Sequence, residues 1–161
     1  EQAPYSGQTA AQSMTIGFMS KAYADNSFAG GNQSYSFGDT SFSFGNGAVA
    51  SKGYSNIALG RGITTPVSGG SATTIGAVSV GQFNEHNVTT QQHFSVGTGT
   101  SDGVRYTSMY VGPRSSSNSG IVMKALKDSA PYSSDSSAAT GGVPLGGVYR
   151  TSSGYVRVRL T

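Results

Sequence analysis

The sequence contains no cysteine and no tryptophan, and it is poor in charge. Without cysteine the chain can form neither disulfides nor thiolate metal sites. Charged residues make up 11% of the chain and the formal net charge is +3, so charge repulsion does not oppose folding. No apolar run approaches the ~20 residues of a membrane span, and the Lys and Arg residues are too scattered for a nucleic-acid footprint. We therefore expect neither membrane insertion nor nucleic-acid binding.

Large aliphatic residues are also scarce. Fewer than one residue in five is Leu, Ile, Val or Phe, whereas Gly, Ser and Thr make up about two fifths of the chain. This composition suits short strands and tight turns and opposes long helices. A single globule would have little aliphatic surface with which to offset its ordering entropy. We expect an all-β, thin structure that shares its core between chains.

A short motif of the form apolar, small, apolar, glycine recurs along the chain. Its copies are MTIG (14–17), YSFG (35–38), FSFG (42–45), IALG (57–60), VSVG (78–81) and FSVG (94–97), with looser copies TTIG (73–76) and MYVG (109–112). The closing glycines, together with Gly31, form the series 17, 31, 45, 60, 76 and a later series 81, 97, 112. Regular self-similarity of this kind is typical of repeat folds.

The motif predicts a β-solenoid. Apolar residues two apart point to the same face of a strand, so each motif predicts a three-residue strand with one dry face. The glycine then permits a turn. Coils of 14 to 16 residues, the steps of the first glycine series, hold two such strands and two corners, with interior room for Ala, Ser or one modest aliphatic. The alternative is a meander of glycine-rich hairpins whose regularity is accidental.

Three stretches carry a resemblance to known families. GNGAVASKGYSNIALG (45–60) resembles the repeat of the left-handed β-roll in the heads of trimeric autotransporter adhesins, with a weaker copy at 21–38. VGQFN (80–84) and HFSVGTGTSDGVRYTSMYV (93–111) are similar to the segment that closes such rolls in bacteriophage tail fibres. GGVPLGGVYRTSSGYVRVRL (141–160) resembles a short hairpin at the ends of some phage fibres.

The resemblance implies a parallel homotrimer of left-handed β-rolls with a small β-rich C-terminal tip. The residues expected to pack in the core or between chains are Ile16, Phe37, Phe44, Ile57, Leu59, Ile75, Val78 and Val80. The expected segments are a linker (1–13), roll repeats (14–81), a closing β segment (82–125), a second linker (126–142) and a terminal hairpin (143–161).

The same resemblance implies a structural fibre protein on the surface of a bacteriophage virion. Its partners would be other virion proteins and a glycan or protein of the host surface, and it implies no cofactor. The alternative is the head of a bacterial surface adhesin. The coiled-coil stalk and barrel anchor of the adhesins have no counterpart in this sequence, which favours the phage fibre.

Catalytic chemistry is weakly indicated. The acids lie mostly in turn-like settings, where Asp usually forms local hydrogen bonds. We expect no enzyme, although carboxylates could meet across a trimer interface in a polysaccharide-degrading tailspike. His86 and His93 are the weak metal candidates, because one histidine near a threefold axis becomes three imidazoles.

Recognition is better supported, at the C-terminal end. Tyr and Arg suit the binding of glycans or protein loops, and repeated copies would add avidity. The candidate receptor-binding residues are Tyr149, Arg150, Tyr155, Arg157 and Arg159. The alternative is that the tyrosines pack at the trimer interface.

Overall fold

The computed structural model describes residues 11–65, 67–68, 74–88, 92–112 and 120–161. The strands in these ranges are β1 (Met14–Phe18), β2 (Lys21–Ala22), β3 (Phe28–Asn32), β4 (Tyr35–Ser36), β5 (Phe42–Asn46), β6 (Val49–Ala50), β7 (Gly53–Tyr54), β8 (Ile57–Arg61), β9 (Val67–Ser68), β10 (Thr74–Ile75), β11 (Val78–Gln82), β12 (Asn87–Val88), β13 (Phe94–Thr98), β14 (Thr107–Gly112), β15 (Gly120–Met123), β16 (Val148–Arg150) and β17 (Val156–Val158). Helices α1 (Lys124–Asp128) and α2 (Asp135–Thr140) are short. The chain divides into two compact units, Glu1–Val122 and Met123–Thr161.

The first unit is a β-solenoid of about five turns. Its long sheet contains the parallel strands β1, β3, β5, β8, β11 and β13, in that order. These strands begin at residues 14, 28, 42, 57, 78 and 94, so successive coils contain 14, 14, 15, 21 and 16 residues. The prediction of stacked coils is confirmed, whereas the left-handed coil and the trimer stay predictions.

Shorter strands form the other sides of the coils. One short sheet contains β2, β4 and β6, another pairs β7 with β10, and a third pairs β9 with β12. The expected two strands in each coil become three in two of the coils. The coil that begins at Phe42 holds β5, β6 and β7, and the coil that begins at Ile57 holds β8, β9 and β10.

Left-handed backbone conformations make the corners of the coils. One column of positive φ angles follows the long strands, at Met19, Gln33, Gly47, Gly62 and Phe83. A second column lies two residues before the next long strand, at Gln12, Asn26, Thr40, Ser55 and Gly76. Most corner residues are not glycine, so a glycine pattern alone does not reveal where the chain turns.

The motif glycines lie in the long strands themselves. They pair from one rung to the next in the order Gly17, Gly31, Gly45, Gly60, Gly81 and Gly97. A Cβ on each of the first five would meet the backbone carbonyl of the next glycine. These glycines therefore permit the close approach of rungs, and the turn follows after them.

Small residues fill the narrow interior, as expected. The central residues of the motif that are completely buried are Ala29, Ser43, Ala58, Ser79 and Ser95. Two buried asparagines extend the hydrogen bonding between rungs. Asn84 accepts from the Thr64 N–H at 2.9 Å and donates to the Thr64 carbonyl at 2.8 Å. Asn56 donates to the Ser51 carbonyl and accepts from the Ala77 N–H.

Two predicted rungs are wrong. The TTIG motif does not stack on IALG, because β10 pairs with β7 on another side of the coil. The rung that follows β8 is β11, so the glycine after Gly60 in the column is Gly81 and not Gly76. The MYVG motif lies in β14, which runs antiparallel to β13 and therefore ends the series of parallel rungs.

The predicted segment boundaries shift accordingly. The parallel rungs extend through β13, beyond the expected end of the roll at residue 81, and β15 pairs with β14 at the edge of the same sheet. The predicted N-terminal linker lies largely outside the described residues.

The second unit contains the two helices and the hairpin of β16 and β17. The hairpin lies within the predicted terminal segment (143–161), with Tyr149 opposite Arg157. The preceding segment, expected to be a linker, instead contains α2. Ser134 caps this helix, because its side chain accepts from the Ser137 N–H while the Ser137 hydroxyl accepts from the Ser134 N–H. A run of serines therefore starts a helix here.

Candidate interaction surfaces

An apolar stripe covers the outer face of the long sheet. Strand alternation points two columns of side chains outward from each rung. The first column is Met14, Phe28, Phe42, Ile57, Val78 and Phe94, and the second is Ile16, Gly30, Phe44, Leu59, Val80 and Val96. We call these two columns the apolar stripe. Its members other than the buried Gly30 are exposed or half-buried in the single chain, and Phe44 is 51% exposed.

Neighbouring side chains of the stripe contact one another. The rings of Phe28 and Phe42 stack with centroids 4.6 Å apart. Gly30 interrupts the second column, and the Phe28 and Phe44 rings lie directly over the position its Cβ would take. The gap in the column is therefore filled from its neighbours, and the stripe presents a continuous apolar surface.

A polar column borders the stripe. It begins with Phe18 and continues through Asn32, Asn46, Arg61, Gln82 and Thr98. The change from apolar to polar over one column indicates that the stripe has a defined edge.

The predicted packing residues fall in three places. Ile16, Phe44, Ile57, Leu59, Val78 and Val80 belong to the apolar stripe. Phe37 lies beside β4, where its ring stacks on Tyr23 with centroids 4.9 Å apart, and Tyr35 packs against both rings. Ile75 is exposed in β10. Phe37 and Ile75 therefore lie outside the apolar stripe.

Tyr149 occupies the interior of the C-terminal unit. It is 1% exposed, and its ring meets that of Tyr132 edge to face. Its hydroxyl donates to Asp135 Oδ1 at 2.6 Å. This bond lowers the pKa of Asp135, helped by the Leu160 N–H, and raises the pKa of Tyr149. Tyr149 was a receptor-binding candidate, and its burial makes it a packing residue of the folded unit.

The three candidate arginines differ in their surroundings. Arg150 donates to the Ser129 carbonyl at 2.9 Å, and its buried Nε has no partner among the described residues. Arg159 donates to the carbonyls of Val143 and Thr161. Arg157 is exposed, and its charge contributes to lowering the pKa of Asp135. Arg150 and Arg159 therefore hold the unit together.

Tyr155 is open to solvent. It is 69% exposed at the end of the hairpin loop. The loop is fixed beneath it, because the Tyr155 N–H donates to the Thr151 hydroxyl and the Tyr155 carbonyl accepts from the Thr151 N–H. Tyr155 and Arg157 are thus the two candidates that present side chains to solvent.

The two histidines, His86 and His93, belong to no group of three or more metal-ligating side chains among the described residues. His86 is half-buried, and desolvation together with the nearby Arg105 lowers its pKa. His93 is exposed at a corner before β13. The imidazole of His86 is therefore predominantly neutral at pH 7.

Arg105 closes the end of the solenoid, a role the sequence analysis missed. Its guanidinium donates to the carbonyls of Gly62 at 2.8 Å and Asn84 at 3.1 Å, and it pairs with Asp102. It also lies 5.9 Å from the centroid of the Phe83 ring. The signal available in the sequence was the SDGVR turn, which predicts a reversal but not the contacts of the arginine.

Comparisons with protein families, with curated proteins and with solved structures find no match for this chain. The fold thus defines the protein as a β-solenoid with a small C-terminal unit. In the described ranges, neither helix has the length and apolar content that crossing a membrane requires.

Proposed function

We propose that the chain is a non-catalytic structural protein of a bacteriophage fibre, which associates as a parallel homotrimer and contributes to attachment to the host. The observation that carries the proposal is the apolar stripe. Soluble monomers rarely expose large contiguous apolar patches, and such patches mark association sites. A trimer would bury the stripe and supply the hydrophobic core that the narrow interior lacks.

The interior of the solenoid explains why association would matter. Its buried side chains are mainly Ala, Ser, Thr and Asn, which contribute little apolar burial compared with Leu or Phe. Most of the large apolar side chains point outward instead, and Ile63 and Phe83 are the buried exceptions among the described residues of the solenoid. Folding and assembly of such a chain are therefore coupled, and its stability depends on protomer concentration.

The residues proposed to contact the host surface lie at the C-terminal end of the chain. Tyr155 and Arg157 offer an aromatic ring and a charge on a loop held by backbone hydrogen bonds. Three copies on each fibre would convert weak single contacts into avid binding. The assignment to a phage rests on the resemblance of the closing segment and of the terminal hairpin.

Immuno-electron microscopy tests the virion assignment. Antibodies raised against the chain should label fibres on particles produced from the genome that encodes it. Intact particles without label, from cells that express the chain, would contradict the proposal. The alternative is the head of a bacterial surface adhesin, which the resemblance of GNGAVASKGYSNIALG favours. An adhesin head would use the same association surface, but the antibodies would then label the bacterial surface.

A sugar-release assay tests the non-catalytic part of the proposal. Incubation of the assembled protein with host surface polysaccharide should release no reducing ends, with a known glycosidase as the positive control. Release in proportion to protein concentration would favour the tailspike alternative.

A further inference from the structure

One face of the C-terminal hairpin is apolar and open. Alternation along β16 and β17 places Val148, Val156 and Val158 on the same face. Their exposed fractions are 44%, 60% and 48%. We call these three residues the valine face.

The opposite face of the hairpin is already occupied. It carries Tyr149, whose hydroxyl binds Asp135 of α2. Asp135 also accepts from the Leu160 N–H at 2.8 Å, which fixes the end of the chain to the same helix. The two faces therefore differ: one packs within the unit, and the other has no cover from the described residues of the unit.

The arginines of the hairpin are either bound within the unit or located away from the valine face. Arg150 shares this face, but its guanidinium reaches aside to the Ser129 carbonyl. Arg157 lies on the other face, near Asp135. Arg159 is bound to the Val143 carbonyl at 2.6 Å. Copies of the unit could thus approach through the valine face without juxtaposing unpaired arginines.

The unit also has too small a core to be stable by itself. Met123–Thr161 is a compact unit of its own, and its buried apolar side chains among the described residues are Ala138 and Tyr149. Domains of fewer than about 40 residues usually need disulfides, metals or oligomerisation. The sequence has no cysteine, and no metal-ligating cluster occurs among the described residues. Of these three sources of stability, oligomerisation is the one that an open apolar face can supply.

We propose that the valine face is a self-association surface, packed against the same face of further copies of this chain. This inference makes the C-terminal unit a clasp for the assembly, in addition to the attachment role proposed for Tyr155 and Arg157. Only the number of copies, three, rests on the proposed function. The small size of the unit, its small core and its open apolar face support the association itself.

Cysteine cross-linking in the full chain tests the proposal, because the chain has no cysteine and each introduced thiol is unique. Val158→Cys should give covalent dimers with a short bismaleimide at low micromolar concentration. The matched control is Ser136→Cys, exposed on α2, the helix that covers the opposite face. At least tenfold less dimer is expected for the control. Equal yields from Val158→Cys and Ser136→Cys would overturn the proposal.

A third variant separates this inference from the proposed function. Leu59→Cys reports contacts of the apolar stripe. Dimers from Leu59→Cys but not from Val158→Cys would refute the clasp and leave the solenoid trimer intact. Dimers from Val158→Cys alone would support the clasp and contradict association through the stripe.

Hydrogen exchange supplies a readout that does not depend on a reagent. Val156→Asp in the full chain should raise amide exchange in residues 148–158 at least tenfold, whereas Ser136→Asp should leave it unchanged. Exchange in these residues that is unaffected by Val156→Asp would show that the valine face is solvated in the assembly, and the proposal would fail.

Discussion

At the scale of single residues, glycine has two separate roles in this protein. Gly45 lies inside a long strand with φ of 147°, where a Cβ would meet the Gly60 carbonyl of the next rung. Gly47 makes a corner with φ of 68°, and a Cβ there would lie 3.8 Å from its nearest neighbours. Both residues have positive φ, but only Gly45 lacks space for a side chain.

The pair gives a matched prediction. Gly47→Ala should reduce the free energy of unfolding by about 1 kcal/mol, the cost of a left-handed alanine. Gly45→Ala should cost about 2–4 kcal/mol, because steric overlap with the next rung adds to the backbone strain. Chemical denaturation of the assembled protein at fixed protomer concentration measures both values. Equal losses for the two variants would mean that the rungs do not approach closely at Gly45.

The sequence predicted the length of the coils and their inward-facing residues better than the positions of the corners. The period of 14 to 16 residues was correct for four of the five coils, and the small central residues point inward as expected. The corners escaped prediction because Met19, Gln33 and Thr40 adopt positive φ, a conformation that propensity assigns to Gly, Asn or Asp. Register with the neighbouring rung overrides that local preference.

At the scale of elements, the closing segment of the solenoid depends on Arg105. Its guanidinium connects the reversed segment to the carbonyls of two coils. The sequence showed a turn in this place, but a contact between residues 43 apart, Gly62 and Arg105, has no local signature. The longer coil between β8 and β11 was missed for the same reason, because TTIG repeats the motif and yet pairs with a different side.

Replacing Arg105 tests this closure. Arg105→Met keeps an unbranched side chain but removes the charge and every hydrogen-bond donor. A hydrogen bond from a charged donor contributes about 1.5–3 kcal/mol, so amide exchange at Phe83 and Tyr106 should accelerate by roughly tenfold or more. Asp102→Asn is the control, since Asp102 is largely exposed and such pairs contribute about 1 kcal/mol at most. Similar exchange in the two variants would refute the role of Arg105.

The contact between α2 and the hairpin makes the C-terminal unit sensitive to pH. The pKa of Asp135 lies below its ordinary 3.8, chiefly because the Tyr149 hydroxyl donates to it. Its stabilisation is therefore fully present above pH 3.8 and is lost as the pH falls through the folded-state pKa. The pKa of Tyr149 lies above 10.0 owing to the same bond, so its contribution is present below pH 10.0 and is lost on further alkalinisation.

We expect acid to expose the hairpin before it disrupts the solenoid. Limited proteolysis from pH 7 down to pH 2 should show cleavage within residues 132–161 rising below pH 3.8. Asp135→Asn should be more sensitive than the natural chain at neutral pH and should lack this acid transition. If both chains show the same acid profile, the Asp135–Tyr149 bond does not stabilise the unit.

At the scale of the whole molecule, composition was the most informative feature of the sequence. Scarce aliphatic residues predicted a fold with a narrow interior, and the stacked coils have mainly small residues inside and most of their large apolar residues outside. The candidate binding residues were harder to predict. Tyr149 and Tyr155 have the same residue type in one hairpin, but the helix that covers Tyr149 arises from a serine run that resembles a linker.

Charge placed on the stripe should prevent assembly. Leu59→Asp puts a carboxylate among apolar neighbours, and burial of an unpaired charge costs several kcal/mol. Asn46→Asp introduces the same negative charge one rung away in the polar border, and Tyr155→Ala removes the exposed ring of the hairpin. Size-exclusion chromatography should show loss of the assembly for Leu59→Asp only. Intact assemblies of Leu59→Asp would place the association surface elsewhere.

Analytical ultracentrifugation of the natural chain at micromolar concentration tests the central claim most directly. We predict a single folded species with three times the 16.4 kDa mass of one chain. A folded monomer at this concentration would contradict association through the apolar stripe.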